Sequence, residues 1–202
     1  FDEQTARLMV QSGCTDIQFA PESGSPHVLA QMNKKIVLTD FEKSVDAALN
    51  AGMTVSVLFI LGYPGEKLRD VRLTYGLIRR LAGKGVHEIA ISSYIPIPGS
   101  AMFTKLYQSG QIELSDQFFQ KVAGATDLLR TTSWNPEFGG RCLIFMKWLG
   151  LLQFYFFLFL FNRKITQKID NNIRSFTAFF KQSVQDKENI NVNDIHFNEF
   201  LI

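Results

Sequence analysis

Residues 55–66 read VSVLFILGYPGE, an apolar strand that runs straight into a Gly-Tyr-Pro-Gly turn. Between Val55 and Leu61 only Ser56 interrupts the apolar residues. Such a run predicts a strand buried on both faces, as in a parallel sheet covered by helices. Working outward, the same plan recurs on either side. Residues 11–25 (QSGCTDIQFAPESGS) and 83–100 (GKGVHEIAISSYIPIPGS) each give a helix end, a glycine, an apolar strand and a Pro/Gly-containing loop. The strands are spaced by roughly 35 residues, the length of one strand–helix–strand unit. The three exit loops therefore share one rim of a parallel sheet, where such folds hold their ligands.

The intervening segments read as helices. Residues 5–11 end one, with Gly13 as its left-handed cap, and residues 16–20 form the first strand. Ser25 and Pro26 open a short helix over 26–32, as N-cap and first position. Residues 39–42 (TDFE) form a capping box for a helix whose apolar stripe is Phe41, Val45, Ala48 and Leu49. After the central turn, Leu68, Val71, Tyr75, Ile78 and Leu81 share one helical face, and Arg69, Arg72, Arg79 and Arg80 lie in solvent. Residues 88–94 are the third strand. Ser100 caps a short helix that Gly110 stops, and residues 116–131 form an amphipathic helix.

The bulk numbers exclude more than they assign. A chain of 202 residues buries a sizeable core, and a net charge of +2 with scattered basic residues gives no nucleic-acid surface. Cys14 and Cys142 are isolated; two thiols can pair, but this spacing matches no disulfide framework, and the expectation is a reducing cytoplasm. His27, His87 and His196 fall in no metal-ligand spacing. The chain opens at Phe1 with neither a methionine nor a signal-peptide pattern, and the expectation is a fragment.

Composition changes after residues 134–140 (WNPEFGG). Residues 143–161 (LIFMKWLGLLQFYFFLFLF) are apolar on every face except at Lys147, Gly150 and Gln153, and reach the length of a membrane span. Lys147 resists a span, so the segment is expected to be a buried or peripheral helix, with membrane association, if any, at the surface. Ile165, Ile169, Ile173, Phe176 and Phe180 form a further stripe suited to a partner helix. Residues 183–202, rich in Asn and Asp, are expected to be a loose tail.

On the rim, Gly62 and Gly65 flank Tyr63 and Pro64 and let backbone approach a ligand; the alternative is a tight strand-to-helix turn. Glu22 and Ser23 suit a pair of sugar hydroxyls, or equally the cap of the next helix. Residues 94–100 (YIPIPGS) make a stiff apolar wall, or simply a rigid connection.

Three stretches carry a resemblance: FAPESGSPHVLAQMNK (19–34), ILGYPGE (60–66) and YIPIPGSAMF (94–103). In order and spacing they resemble the second half of the core of radical S-adenosylmethionine enzymes, closest to the branch with a cobalamin-binding domain upstream. The fold this implies is α/β: a partial (β/α) barrel of parallel strands over residues 1–110, an all-helical extension over 111–182, and the tail. The resemblance implies that Glu22, Ser23 and Gly24 lie near the ribose and methionine parts of S-adenosylmethionine. Gly62 and Gly65 match the second and third glycines of the family's G-x-I-x-G-x-x-G strand, and Ile60 its isoleucine; Leu58 replaces the first glycine. Lys34 matches a basic position that meets the cofactor carboxylate.

The family's C-x-x-x-C-x-x-C motif, which holds a [4Fe-4S] cluster, is absent from the sequence, as is its Gly-Gly-Glu motif. Both are expected upstream, and with them any cobalamin domain. The full protein would then generate a 5′-deoxyadenosyl radical that abstracts hydrogen from a small-molecule or lipid-like substrate. Two alternatives stand beside this reading: a catalytically inactive binding or membrane-associated module, and a barrel binding a phosphorylated metabolite at its glycine loops.

Overall fold

The computed structural model describes residues 1–162. The stripe at 165–180 and the tail at 183–202 lie outside the described residues. The elements run α1 (Glu3–Gln11), β1 (Asp16–Glu22), α2 (Pro26–Gln31), α3 (Leu38–Asn50), β2 (Thr54–Leu61), α4 (Leu68–Lys84), β3 (Glu88–Ser93), α5 (Ala101–Gln108), α6 (Asp116–Ala123) and α7 (Gly140–Phe161). The protein is α/β. Its strands form one parallel sheet in the order β1-β2-β3, with Val57 opposite both Phe19 and Ile89.

The two faces of the sheet differ. In β2, Val55, Val57, Phe59 and Leu61 are fully buried, and they alternate with half-buried Ser56, Leu58 and Ile60. In β3, Ile89 and Ile91 are buried while Glu88 and Ala90 are exposed. Helices α3, α4 and α7 cover the first face. The second is open among the described residues, which corrects the expectation of a central strand buried on both sides. Leu58 and Ile60 are apolar enough to pass for core in a one-dimensional pattern, so the alternation was masked.

Most helix boundaries follow local chemistry. Ser25 accepts the Val28 N–H and Pro26 occupies the first position of α2; Ser100 accepts the Phe103 N–H at the start of α5. Two expectations are corrected. α3 begins at Leu38 rather than behind a Thr39 cap, and Glu42 is drawn away into a paired contact with the Arg80 guanidinium of α4, at 2.9 and 3.1 Å. The helix from Asp116 ends at Ala123, followed by a 3₁₀ turn over Gly124–Thr126. Asp127 then accepts the N–H groups of Leu129 and Arg130, which turns the chain out of the helix. Leu68, expected in the α4 stripe, is exposed, while Val71, Tyr75, Ile78 and Leu81 are buried.

α7 packs on α4. The Tyr75 hydroxyl donates to the Met146 carbonyl at 2.7 Å, and Gly150 sits so close to Ile91 that a Cβ there would meet Ile91 Cδ1 at 2.5 Å. Burial pushes the Tyr75 hydroxyl above its ordinary range, with the Glu66 and Cys142 charges adding to it. A smaller core joins Phe103, Leu106, Ile112 and Phe118, with Trp134 packed against it. It anchors the chain after β3 beside the rim.

Candidate functional site at the strand exits

β1 leaves the sheet irregularly. Pairing with β2 is regular through Phe19↔Val57 and then slips, so that Glu22 stands opposite Phe59. This bulge, with a positive φ of 70° at Glu22, turns its carboxylate towards the open side of the sheet. α2 ends one turn later, and Asn33, also at positive φ (54°), brings the chain back. The Lys34 ammonium then reaches the Glu22 carboxylate at 3.0 Å. Glu22 is mostly covered and Lys34 half-exposed.

Glu22, Lys34 and Ile60 line one cavity of about 390 Å³, closed by the loop after β3 through Tyr94, Ile95 and Ile97 and floored by Ser92 and Ser93. The volume suits a small organic ligand. Its polar lining is the ion pair, the amides of Gln31 and Asn33 and a few hydroxyls; the rest is apolar. Burial raises the Tyr94 hydroxyl to about 12, with Tyr63 adding to it and Ser100 opposing, so it is a neutral donor throughout the working range. Tyr63 and Tyr94 meet edge-on at 4.9 Å, and the Tyr63 hydroxyl donates to the Gln31 carbonyl at 3.0 Å. Behind Tyr63 lies a second cavity of about 480 Å³, walled by Pro64, Gly65, Met102, Trp134 and Pro136.

The other residues singled out in the sequence sit elsewhere. Ser23 is fully buried; its hydroxyl accepts the Ser25 N–H and lies 3.2 Å from the Thr74 hydroxyl of α4. Gly24 donates its N–H to Thr74 Oγ1 at 3.0 Å, and a Cβ at Gly24 would lie 2.7 Å from the α4 backbone. Ser25 donates to Asp70 Oδ1 at 2.6 Å. Burial pushes the Asp70 carboxyl up, but hydrogen bonds from Ser25 and the Lys67 N–H, with the His27 and Arg69 charges, hold it below its ordinary range. The Ser-Gly-Ser segment thus rivets the β1 exit to α4. Gly65 lines the second cavity, under the Gln31 amide.

Gly62, at φ 81°, is buried against Leu143 of α7, and its N–H donates to Glu66 Oε2 at 2.6 Å. Asn135 clamps the same turn from outside the sheet, donating to the carbonyls of Tyr63 and Glu66 at 2.7 and 2.9 Å. Glu66 is fully buried, and its Oε1 has no hydrogen-bond partner. Burial raises its carboxyl to about 7, opposed by the Gly62 hydrogen bond and reinforced by Asp70. A carboxylate behind the turn, already engaging its first N–H, is the wrong chemistry for a phosphate cradle. Sequence reasoning missed Glu66 and Asn135. The acid directly after the glycine turn was a signal for the first; Asn135, distant in sequence, gave none.

No group of three His, Cys, Asp or Glu side chains among the described residues could hold a metal ion. Cys14 and Cys142 are both free thiols.

No family model matches the chain. It is 27% identical over 103 residues to an uncharacterized methyltransferase of Pyrococcus horikoshii, covering 51% of this chain and 22% of the relative. It is 27% identical over 111 residues to the threonylcarbamoyladenosine tRNA methylthiotransferase of Thermotoga maritima, covering 54% and 26%. It is 27% identical over 126 residues to the cytidylyl-2-hydroxyethylphosphonate methyltransferase of Streptomyces wedmorensis, covering 59% and 23%. The chain therefore spans about a quarter of these three curated relatives, which are named as enzymes that transfer methyl or methylthio groups.

Proposed function

We propose that this chain carries part of the S-adenosylmethionine site of a radical S-adenosylmethionine enzyme of the methyl- or methylthio-transferring kind, working in the cytoplasm. The observation that carries the reading is convergence: Glu22, Lys34 and Ile60, from two different strand exits, meet in one cavity with the loop after β3. The donor set fits the cofactor. A carboxylate and an ammonium answer its amino-acid zwitterion and ribose hydroxyls, and Ile60, Ile95 and Tyr94 offer apolar faces for adenine. The open sheet face is the interior a larger strand–helix barrel would enclose. The names of the relatives support the same class.

Bound here, S-adenosylmethionine would supply an activated methyl group or, on one-electron reduction, a carbon radical. The chain's own residues orient it. Lys34 and Glu22 fix the charged end, Tyr94 offers a neutral hydroxyl, and the 94–97 loop excludes water. Ser23 and Gly24 act through the frame that aims Glu22, and Gly62 through the turn that holds Tyr63. Two separated thiols do not fit a four-iron cluster, and no described group fits cobalamin; both belong to the proposal only as properties of a larger protein.

The test is equilibrium binding of S-adenosylmethionine to the protein made from its complete reading frame. Glu22→Ala and Lys34→Ala each weaken binding by roughly tenfold or more, the loss expected for one charge-assisted hydrogen bond. Ser23→Ala changes it by less than about threefold, because its hydroxyl faces α4. Unchanged affinity in the first two variants reduces Glu22 and Lys34 to a surface ion pair and removes the proposal's support.

A further inference from the structure

α7 has two opposite faces with opposite fates. Leu143, Met146, Lys147, Gly150, Phe154 and Leu158 recur at helical spacing and are buried. Lys147 is among them: its ammonium donates to the carbonyls of Ala125 at 3.2 Å and Asp127 at 2.5 Å. Burial lowers its pKa, partly offset by Asp127. On the other side Phe145, Trp148, Leu152, Tyr155, Phe156 and Phe159 are exposed, Phe145 by 66% and Leu152 by 67%. At 100° per residue they fan over an arc of about 100° and run for roughly 20 Å. Leu129, 74% exposed, belongs to the same side, because Trp148 donates its indole N–H to the neighbouring Leu128 carbonyl. Such a contiguous apolar face marks an interaction surface.

The charge pattern around it selects the partner. From Arg141 to Lys164 the sequence holds Arg141, Lys147, Arg163 and Lys164 and no acid. With Lys147 turned inward, exposed Arg141 stands at the first turn of an uncharged, aromatic-rich arc, and in the sequence Arg163 and Lys164 follow the helix. Arg130 follows Leu129 on the adjoining strap, and Glu88 lies at the side near Tyr155. A second copy laid parallel on this face would set Arg141 against Arg141, and residues 141–164 hold no acid to answer it. Anionic headgroups complement Arg141 and Arg130, and Trp and Tyr favour the water–lipid boundary.

We infer that the outward face of α7 docks on the surface of an anionic lipid membrane, with the helix in the plane of the interface. α7 is long and apolar enough to cross a membrane. Crossing, however, would break the Lys147 and Tyr75 hydrogen bonds and strip the helix from α4. Lying flat keeps every one of those contacts and inserts only the exposed arc by roughly 5–10 Å. The inference does not depend on the cofactor proposal.

Flotation of the whole chain with phosphatidylcholine vesicles, with and without phosphatidylserine, tests it. The chain floats with the anionic vesicles, less so at high salt, and is released by alkaline carbonate. Phe145→Ser, Leu152→Ser and Phe159→Ser combined lower the partition by roughly tenfold or more, while thermal unfolding stays unchanged because all three side chains are exposed. In a Trp134→Phe background, emission from Trp148 shifts to the blue on adding vesicles. Absence of flotation overturns the inference, and a dimer abolished by the triple substitution would assign the face to a second copy instead. Carbonate-resistant retention overturns it in favour of a span, and flotation untouched by the triple substitution places the contact elsewhere.

Discussion

The two faces of the sheet are made from the same strands and do different work. On one face Val55, Val57, Phe59 and Leu61 are sealed under α3, α4 and α7; on the other Ser56, Leu58 and Ile60 lead up to the cavity at the strand exits. The first face holds the fold and the second presents chemistry. The difference shows that a strand's apolar character does not reveal whether both of its sides are occupied. Side chains one residue apart belong to different problems, packing for one and ligand for the other.

That contrast is broken most directly at Phe59. It is fully buried, among the largest side chains on the sealed face, and Phe59→Ala removes both its transfer free energy and its packing. The expected loss is about 3–5 kcal/mol, read as a lower midpoint in urea with an unchanged slope. A loss below about 1 kcal/mol, the scale of an exposed substitution, would mean that the sealed face is not the core.

Much of this was legible in the sequence because it was local. The strand–loop–helix rhythm and the Ser25 and Ser100 caps rest on neighbouring residues. At the rim, the motif residues were legible as a group but not in their separate duties. Glu22, Lys34 and Ile60 reach one cavity, whereas Ser23 and Gly24 touch Thr74, some fifty positions away. No spacing rule reports a contact of that length. The TDFE signal over residues 39–42 failed for the same reason, since a partner on α4 outcompeted the cap. Asn135 was invisible because its donors meet carbonyls far back in the chain.

The turn that joins the two faces carries a titratable group, and this sharpens the comparison. Glu66 sits beneath Gly62 on the sealed side, with its carboxyl raised from 4.5 to about 7 by burial. Its folded pKa lies above its unfolded one, so between about 4.5 and 7 the folded state binds the extra proton. The stabilising contribution is therefore complete below pH 4.5 and lost as pH rises through about 7. The linked change is on the order of 3 kcal/mol. Urea unfolding at a series of pH values should show stability falling over that window in the native protein. Glu66→Gln, which cannot ionise, should flatten that component of the curve. A native profile without the fall would place Glu66 in contact with water.

The smallest effect belongs to the open face, at Leu58. Its neighbour across β3 is Ala90, an exposed residue, and Leu58 itself is only half-buried. Leu58→Ala removes the same kind of apolar mass as a core truncation but leaves behind a surface that already meets water. No enclosed cavity forms, so the cavity component of the cost disappears and only part of the transfer component remains. The expected loss is under about 1 kcal/mol, seen as a fall in Tm of about 4 °C or less for a chain of this size. Leu58 also points the same way as Ile60, two residues nearer the cavity, so truncating it widens the approach without touching the Glu22–Lys34 pair. Affinity for S-adenosylmethionine should then move by less than about threefold, under 0.7 kcal/mol, while Glu22→Ala moves it by tenfold. A Leu58→Ala variant as damaged as Phe59→Ala would mean that both faces are sealed, and that the cavity is a gap in the core instead of the mouth of a site.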